Sequence, residues 1–174
     1  MAHQVPVITV VGWSNSGKTT FLTEVVRILN ARGVRVGVVK HHGHAPDGVD
    51  VVGKDSWKYA HAGANPVVLS ASSQYAIFRT VEQEATREEL VAHIADEVDL
   101  VIAEGFREEA DGAIELFREA AGHDTPKLAP EERIAAITDS EALAAEVRAE
   151  GKPVFGLTGF EGVADFILRK AGLA

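Results

Sequence analysis

The stretch GWSNSGKTT, residues 12–20, stands between the apolar run VPVITVV and the helix-period run FLTEVVRIL. Gly12, Gly17, Lys18 and Thr19 meet the spacing G-x-x-x-x-G-K-[ST] without a mismatch, and the strand before and helix after are the context that pattern requires. The two glycines admit backbone angles that side chains forbid. Successive backbone N–H groups can then curl around an oxyanion at the positive end of a helix starting near Lys18. In such a P-loop the lysine reaches β- and γ-phosphates and the Thr19 hydroxyl ligates Mg²⁺. A chain built around this feature is constrained to an α/β layout.

The rest of the chain reads the same way. Val7–Val11 is a first strand, and Phe21, Leu22, Val25, Val26, Ile28 and Leu29 share one helical face closed at Arg32 and Gly33. A second strand spans 34–39 and delivers Lys40. Residues 41–53 are turn-rich, and a short helix covers 55–62. Strands at 67–70 and 75–79 form a hairpin extension. A helix over 87–96 precedes a strand at 98–103, with further strands at 114–117, 134–137 and 154–157 and helices at 141–149 and 162–171. Strands alternating with helices predict a mostly parallel β-sheet flanked by helices, with right-handed crossovers. A length of 174 residues fits a single nucleotide-binding domain over 1–174.

Charge and composition exclude several classes. The net charge of −9 argues against non-specific binding to nucleic acid or an anionic membrane. With no cysteine there is no disulfide, thiolate metal site or thiol catalysis. No apolar run approaches the roughly 18–20 residues that span a bilayer. The N-terminal apolar run lacks a charged region ahead of it and reads as a core strand, so the cytoplasm is the expected location.

A P-loop nucleotide needs a second carboxylate for its metal. In DLVIAEG, Asp99 opens a strand and Glu104 closes it; five steps of about 3.3 Å put them roughly 16 Å apart. Ligands of open α/β sheets sit beyond the carboxyl ends of strands, so Glu104 is the candidate and Asp99 a solvated strand-start residue. Lys40, also at a carboxyl end, can neutralise γ-phosphate charge. Asp55 is equally suited to cap a helix or to place a carboxylate on the metal. His41, His42 and His44, beside Asp47 and Asp50, form either a transition-metal cluster or a polar loop. Thr138 and Asp139, in ITD, sit where an aspartate can accept hydrogen bonds from guanine, or where Asp139 or Ser140 can cap the next helix.

Taken in order, GWSNSGKTTF, VGVVKHH, GKDSWKYAHAGA and DLVIAEGFRE resemble the MobB family, the P-loop GTP-binding proteins of molybdopterin guanine dinucleotide biosynthesis. The likeness runs from about residue 5 to 118 and continues more weakly through ITD and VFGLTGFEGVADFIL. It implies a P-loop NTPase fold of the class shared with dethiobiotin synthetase and nickel-inserting GTPases. It also implies GTP with Mg²⁺, slow hydrolysis, a homodimer, and partnership with the MobA nucleotidyltransferase, which joins GMP to molybdopterin. By the same resemblance Gly12, Ser14, Asn15, Ser16, Gly17, Lys18, Thr19 and Thr20 hold phosphates, and Lys40 and Asp55 lie near the γ-phosphate. Thr19, Asp55 and Glu104 serve the metal, and Thr138 and Asp139 face guanine. The TD step is a reduced form of N-K-x-D, with no lysine to stack on the base.

Two other readings stand beside that one: a phosphoryl-transfer or ATP-dependent ligase enzyme acting on a small acidic substrate, and a nickel-type metal-delivery GTPase using the 41–44 histidines. No residue outside the phosphate apparatus is a convincing substrate base, which favours the accessory protein, an acidic surface around 107–124 being suited to a partner.

Overall fold

Val-Ile-Thr-Val-Val is a run of five β-branched residues, stiff at χ1 and suited to a pleated surface. It forms β1 (Val7–Val11) at the middle of the sheet in a computed structural model that describes residues 5–43 and 48–174. The chain divides into two compact units, one of residues 1–41 with 86–174 and one of residues 42–85.

In the first unit, β1 is followed by α1 (Lys18–Ala31), β2 (Val36–Lys40), α3 (Arg87–Ala92), β5 (Leu100–Glu104), β6 (Ala113–Phe117), β7 (Arg133–Thr138), α4 (Glu141–Ala149), β8 (Val154–Phe155) and α5 (Phe160–Ala171); α2 (Asp55–His61), β3 (Val67–Ser70) and β4 (Tyr75–Phe78) belong to the second unit. Six parallel strands lie in the order β2-β5-β1-β6-β7-β8. Such a sheet must be covered on both faces. Ile8 and Val10, Leu100 and Ile102, and Ile114 and Leu116 face Phe21, Leu22, Val25 and Leu29 of α1 and Val163, Ala164 and Ile167 of α5. On the other face Val101 and Ala103 pack with Val91 of α3, and Phe117 and Ala136 with Leu143 and Val147 of α4. Burying each such Val, Leu, Ile or Phe side chain contributes about 1.5–3 kcal/mol.

Several boundaries differ from the sequence-based expectation. The second strand begins at Val36 because the Val34 N–H closes α1 on Leu29 O and Arg35 O accepts from Asp99 N–H. The 87–96 helix stops at Ala92: Ile94 leaves helical angles at φ −125°, and a single 3₁₀ turn at Ala95–Glu97 follows. The last helix starts at Phe160, two residues early, and β8 keeps only two residues.

The second unit contains α2 (Asp55–His61) and the antiparallel hairpin of β3 (Val67–Ser70) with β4 (Tyr75–Phe78), pairing Val68 with Ile77 and Ser70 with Tyr75. Val68, Leu69, Tyr75 and Ile77 are each more than half exposed. Among the described residues no helix is long and apolar enough to cross a membrane.

Candidate phosphate and metal site

β1 aims its carboxyl end at α1, and the connection is the glycine-rich loop. Its curl uses positive φ at Asn15 (61°) and at Gly17 (91°), the residue that caps α1. Gly12 meets a different demand: a Cβ there would lie 2.3 Å from Leu116 O, so only glycine lets the loop leave β1 against β6.

Lys18 folds back on this loop, donating to Gly12 O at 3.0 Å and Trp13 O at 2.7 Å. Burial holds its pKa below the usual lysine range; Glu104 opposes that shift, while the charges of Lys127 and Lys40 add to it. The Ser16 hydroxyl is buried, with the residue 2% exposed, and has no hydrogen-bond partner. Leaving such a group unsatisfied costs about 1–3 kcal/mol. A folded-back lysine and an orphaned hydroxyl in one N–H-lined loop fit an anion.

The neighbouring strands complete the cluster. Leu100 and Ile102 face α1, and alternation carries Glu104 to the same face at the end of β5. The residue is 7% exposed, and its carboxylate oxygens lie 3.3 and 3.4 Å from Thr19 Oγ1 in the first turn of α1. Lys40 stands opposite Glu104 in the β2–β5 register, its Nζ 3.2 Å from Glu104 Oε1 and 3.2 Å from Thr19 Oγ1. Lys18, Thr19, Lys40 and Glu104 therefore meet at the carboxyl ends of three adjacent strands. Mg²⁺ asks for one or two such protein ligands and takes phosphate oxygens and water for the rest.

The other expected residues make contacts of their own. Asp99 pairs with Arg35 ahead of β5, its Oδ1 2.6 Å from Arg35 Nη2. Asp55 is not a helix cap, since Lys54 holds that position; it stands in the first turn of α2, exposed, 3.3 Å from Lys58 Nζ. Its neighbour Ser56 is buried and donates to Asp50 Oδ1 at 3.1 Å. Thr138 closes β7, and its hydroxyl accepts from the Ser140 N–H. Asp139 is exposed and accepts from the Glu119 N–H at 3.0 Å; Ser140 occupies the cap of α4 without a side-chain capping bond. His44 and Asp47 lie outside the described residues, and among the described residues no group of three or more His, Asp or Glu is arranged to hold a metal.

Sequence reasoning missed Glu115 and Arg133. Glu115, fully buried in β6, accepts from the N–H groups of Lys127 (2.5 Å) and Leu128 (3.0 Å) and from Arg133 Nη1 (3.1 Å). Arg133 reaches on to Glu146 and Glu150. Burial pushes the Glu115 carboxyl up, and the two N–H groups and Arg133 pull it back. The available signal was a charged residue inside AIELF, a strand with no polar face. Trp13, the second loop residue, donates to Thr125 O at 2.8 Å and stacks on His123, with ring centres 4.5 Å apart.

A family model described as "MobB: Molybdopterin guanine dinucleotide synthesis protein B" matches residues 7–140. The molybdopterin-guanine dinucleotide biosynthesis adapter protein of Escherichia coli (strain K12) is 32% identical over 167 residues, which is 94% of this chain and 92% of that protein. A crystal structure of molybdopterin-guanine biosynthesis protein B superposes with a TM-score of 0.68 at 31% identity, over 94% of this chain and 98% of that one. The Bacillus subtilis MobB structure does so with a TM-score of 0.74 at 26% identity, over 95% and 98%.

Proposed function

This chain belongs to the MobB family of molybdopterin guanine dinucleotide synthesis proteins, and from that premise we propose that it is a GTP-binding adapter in molybdenum-cofactor biosynthesis. The observation that carries the nucleotide reading is the meeting of Lys18, Thr19, Lys40 and Glu104 beside a loop with an orphaned Ser16 hydroxyl. On this reading the loop N–H groups from Gly12 to Thr20 cradle the phosphates, and Lys18 leaves its own carbonyls for β- and γ-phosphate oxygens. Thr19 and Glu104 would hold Mg²⁺, which when bound supplies charge neutralisation across those oxygens. Lys40 neutralises charge on the γ-phosphate. A role for Asp55 at the γ-phosphate and metal rests on the family resemblance alone. Thr138 and Asp139 are the proposed guanine contacts. Hydrolysis is expected to be slow, because nothing in the sequence acts as an arginine finger or a water-orienting glutamine.

The proposed partners are MobA and molybdopterin or its guanine dinucleotide, in the cytoplasm. A homodimer is supported by the hairpin of the second unit. Two strands alone are marginal in water, and this pair exposes Val68, Leu69, Tyr75 and Ile77. A second copy offers the same apolar surface for mutual cover.

Titrating the protein with GTP and ATP tests the nucleotide reading. GTP is expected to bind more tightly, and Lys18→Ala to weaken it by about 1.5–3 kcal/mol, roughly ten- to a hundredfold. Equal GTP affinity in folded wild-type and Lys18→Ala proteins would overturn the assignment.

A further inference from the structure

We propose that Lys127 is a third phosphate-binding cation of this site, delivered by the 119–128 segment to the terminal phosphate of a nucleoside triphosphate. The proposal rests on the nucleotide reading above and extends it to a residue outside every motif.

The placement is built by buried contacts. Val11, the residue ahead of the loop, stands opposite Glu115 in the β1–β6 register. Glu115 Oε1 accepts from the backbone N–H groups of both Lys127 and Leu128, so a fully buried carboxylate fixes the Lys127 backbone next to the strand that launches the loop. Trp13 fixes the same segment a second time, through its indole N–H to Thr125 O and its stacking on His123. The Lys127 ammonium then lies 5.3 Å from the centre of the Trp13 ring. Trp13 O is itself 2.7 Å from Lys18 Nζ. Trp13 thus meets both cations, Lys127 at its ring and, at its carbonyl, the Lys18 ammonium that a P-loop directs at the β- and γ-phosphates.

Charge agrees with geometry. The charges of Lys127 and Lys40 both act on Lys18, and Glu104, 3.2 Å from Lys40 Nζ, opposes them. On a chain of net charge −9 that is a local excess of positive charge, and an anion resolves it. A triphosphate brings more charge to the Lys18 end of the loop than a diphosphate does. Lys127 therefore contributes to discrimination between the two.

The test is equilibrium titration of the full chain with Mg²⁺-GTP and Mg²⁺-GDP, in wild type, Lys127→Met and Lys127→Arg. Methionine keeps an aliphatic stem against Trp13 and removes only the charge, and a melting curve confirms the fold. Lys127→Met is expected to weaken GTP about tenfold while GDP changes less than about twofold, and Lys127→Arg to restore most of the loss. Unchanged GTP affinity in Lys127→Met, or equal losses for GTP and GDP, would overturn the role of Lys127 while leaving the nucleotide reading intact. A wild-type protein that binds neither nucleotide would remove both.

Discussion

Adjacent parts of one parallel sheet bury a glutamate for opposite ends. Glu115, inside β6, has its needs met by the protein: two N–H groups and Arg133, all within 3.1 Å. Glu104, at the end of β5, is nearly as buried, yet its contacts with Thr19 and Lys40 run from 3.2 to 3.4 Å. A carboxylate held by backbone donors and a buried guanidinium fixes a loop; one held by a hydroxyl and a half-exposed lysine can exchange those partners for a ligand. Position separates them, because a strand interior is closed while a carboxyl end in an open α/β sheet faces the ligand crevice.

That contrast breaks most visibly at Glu115. Glu115→Ala leaves Arg133 buried beside two unmatched N–H groups, and losing one member of such a pair costs about 3–5 kcal/mol. Thermal unfolding of a chain this size should fall by roughly 6–20 °C, at about 2–4 °C per kcal/mol. A loss under about 1 kcal/mol would show that the network around Glu115 does not hold the loop. Glu104→Gln sharpens the comparison from the other side. It keeps shape and loses charge, so unfolding should move by less than in Glu115→Ala while magnesium-dependent GTP hydrolysis disappears. Smallest of all is Asp99→Asn: its exposed pairing with Arg35 is worth about 0–1 kcal/mol, and GTP binding and turnover should match wild type. If Asp99→Asn were the inactive variant, the assignment of the working end of β5 would be reversed.

What could be read from the chain beforehand follows local chemistry. The loop from Gly12 to Thr20 is a contiguous pattern, and Lys40 and Glu104 follow from strand direction alone. Their meeting with Thr19 is the geometric consequence of placing β5 between β1 and β2. Glu115, Arg133 and Lys127 were out of reach for a physical reason. Glu115 takes two partners from the folded-back β6–β7 connection, Arg133 reaches on to Glu146 and Glu150, and Trp13 bonds a residue 112 positions away. The charge inside AIELF calls for a buried partner, but nothing there or in TPKLAP says which residue it is. The short Arg87–Ala92 helix was overextended for a related reason: EELVAHIAD keeps its apolar period past Ala92, but Ile94 turns out of the helix and packs with the buried cluster around Val91, Val101 and Ala103.

The proposed function requires the carboxyl ends of β1, β5 and β2 to form a magnesium-dependent triphosphate site. Calorimetric titration of GTP into wild type and Glu104→Gln, each with Mg²⁺ and with EDTA, tests it most directly. Mg²⁺ is expected to tighten wild-type binding at least about tenfold, near 1.4 kcal/mol, and Glu104→Gln to lose this gain. Equal affinities with and without Mg²⁺ in wild type, or an undiminished gain in Glu104→Gln, would contradict it.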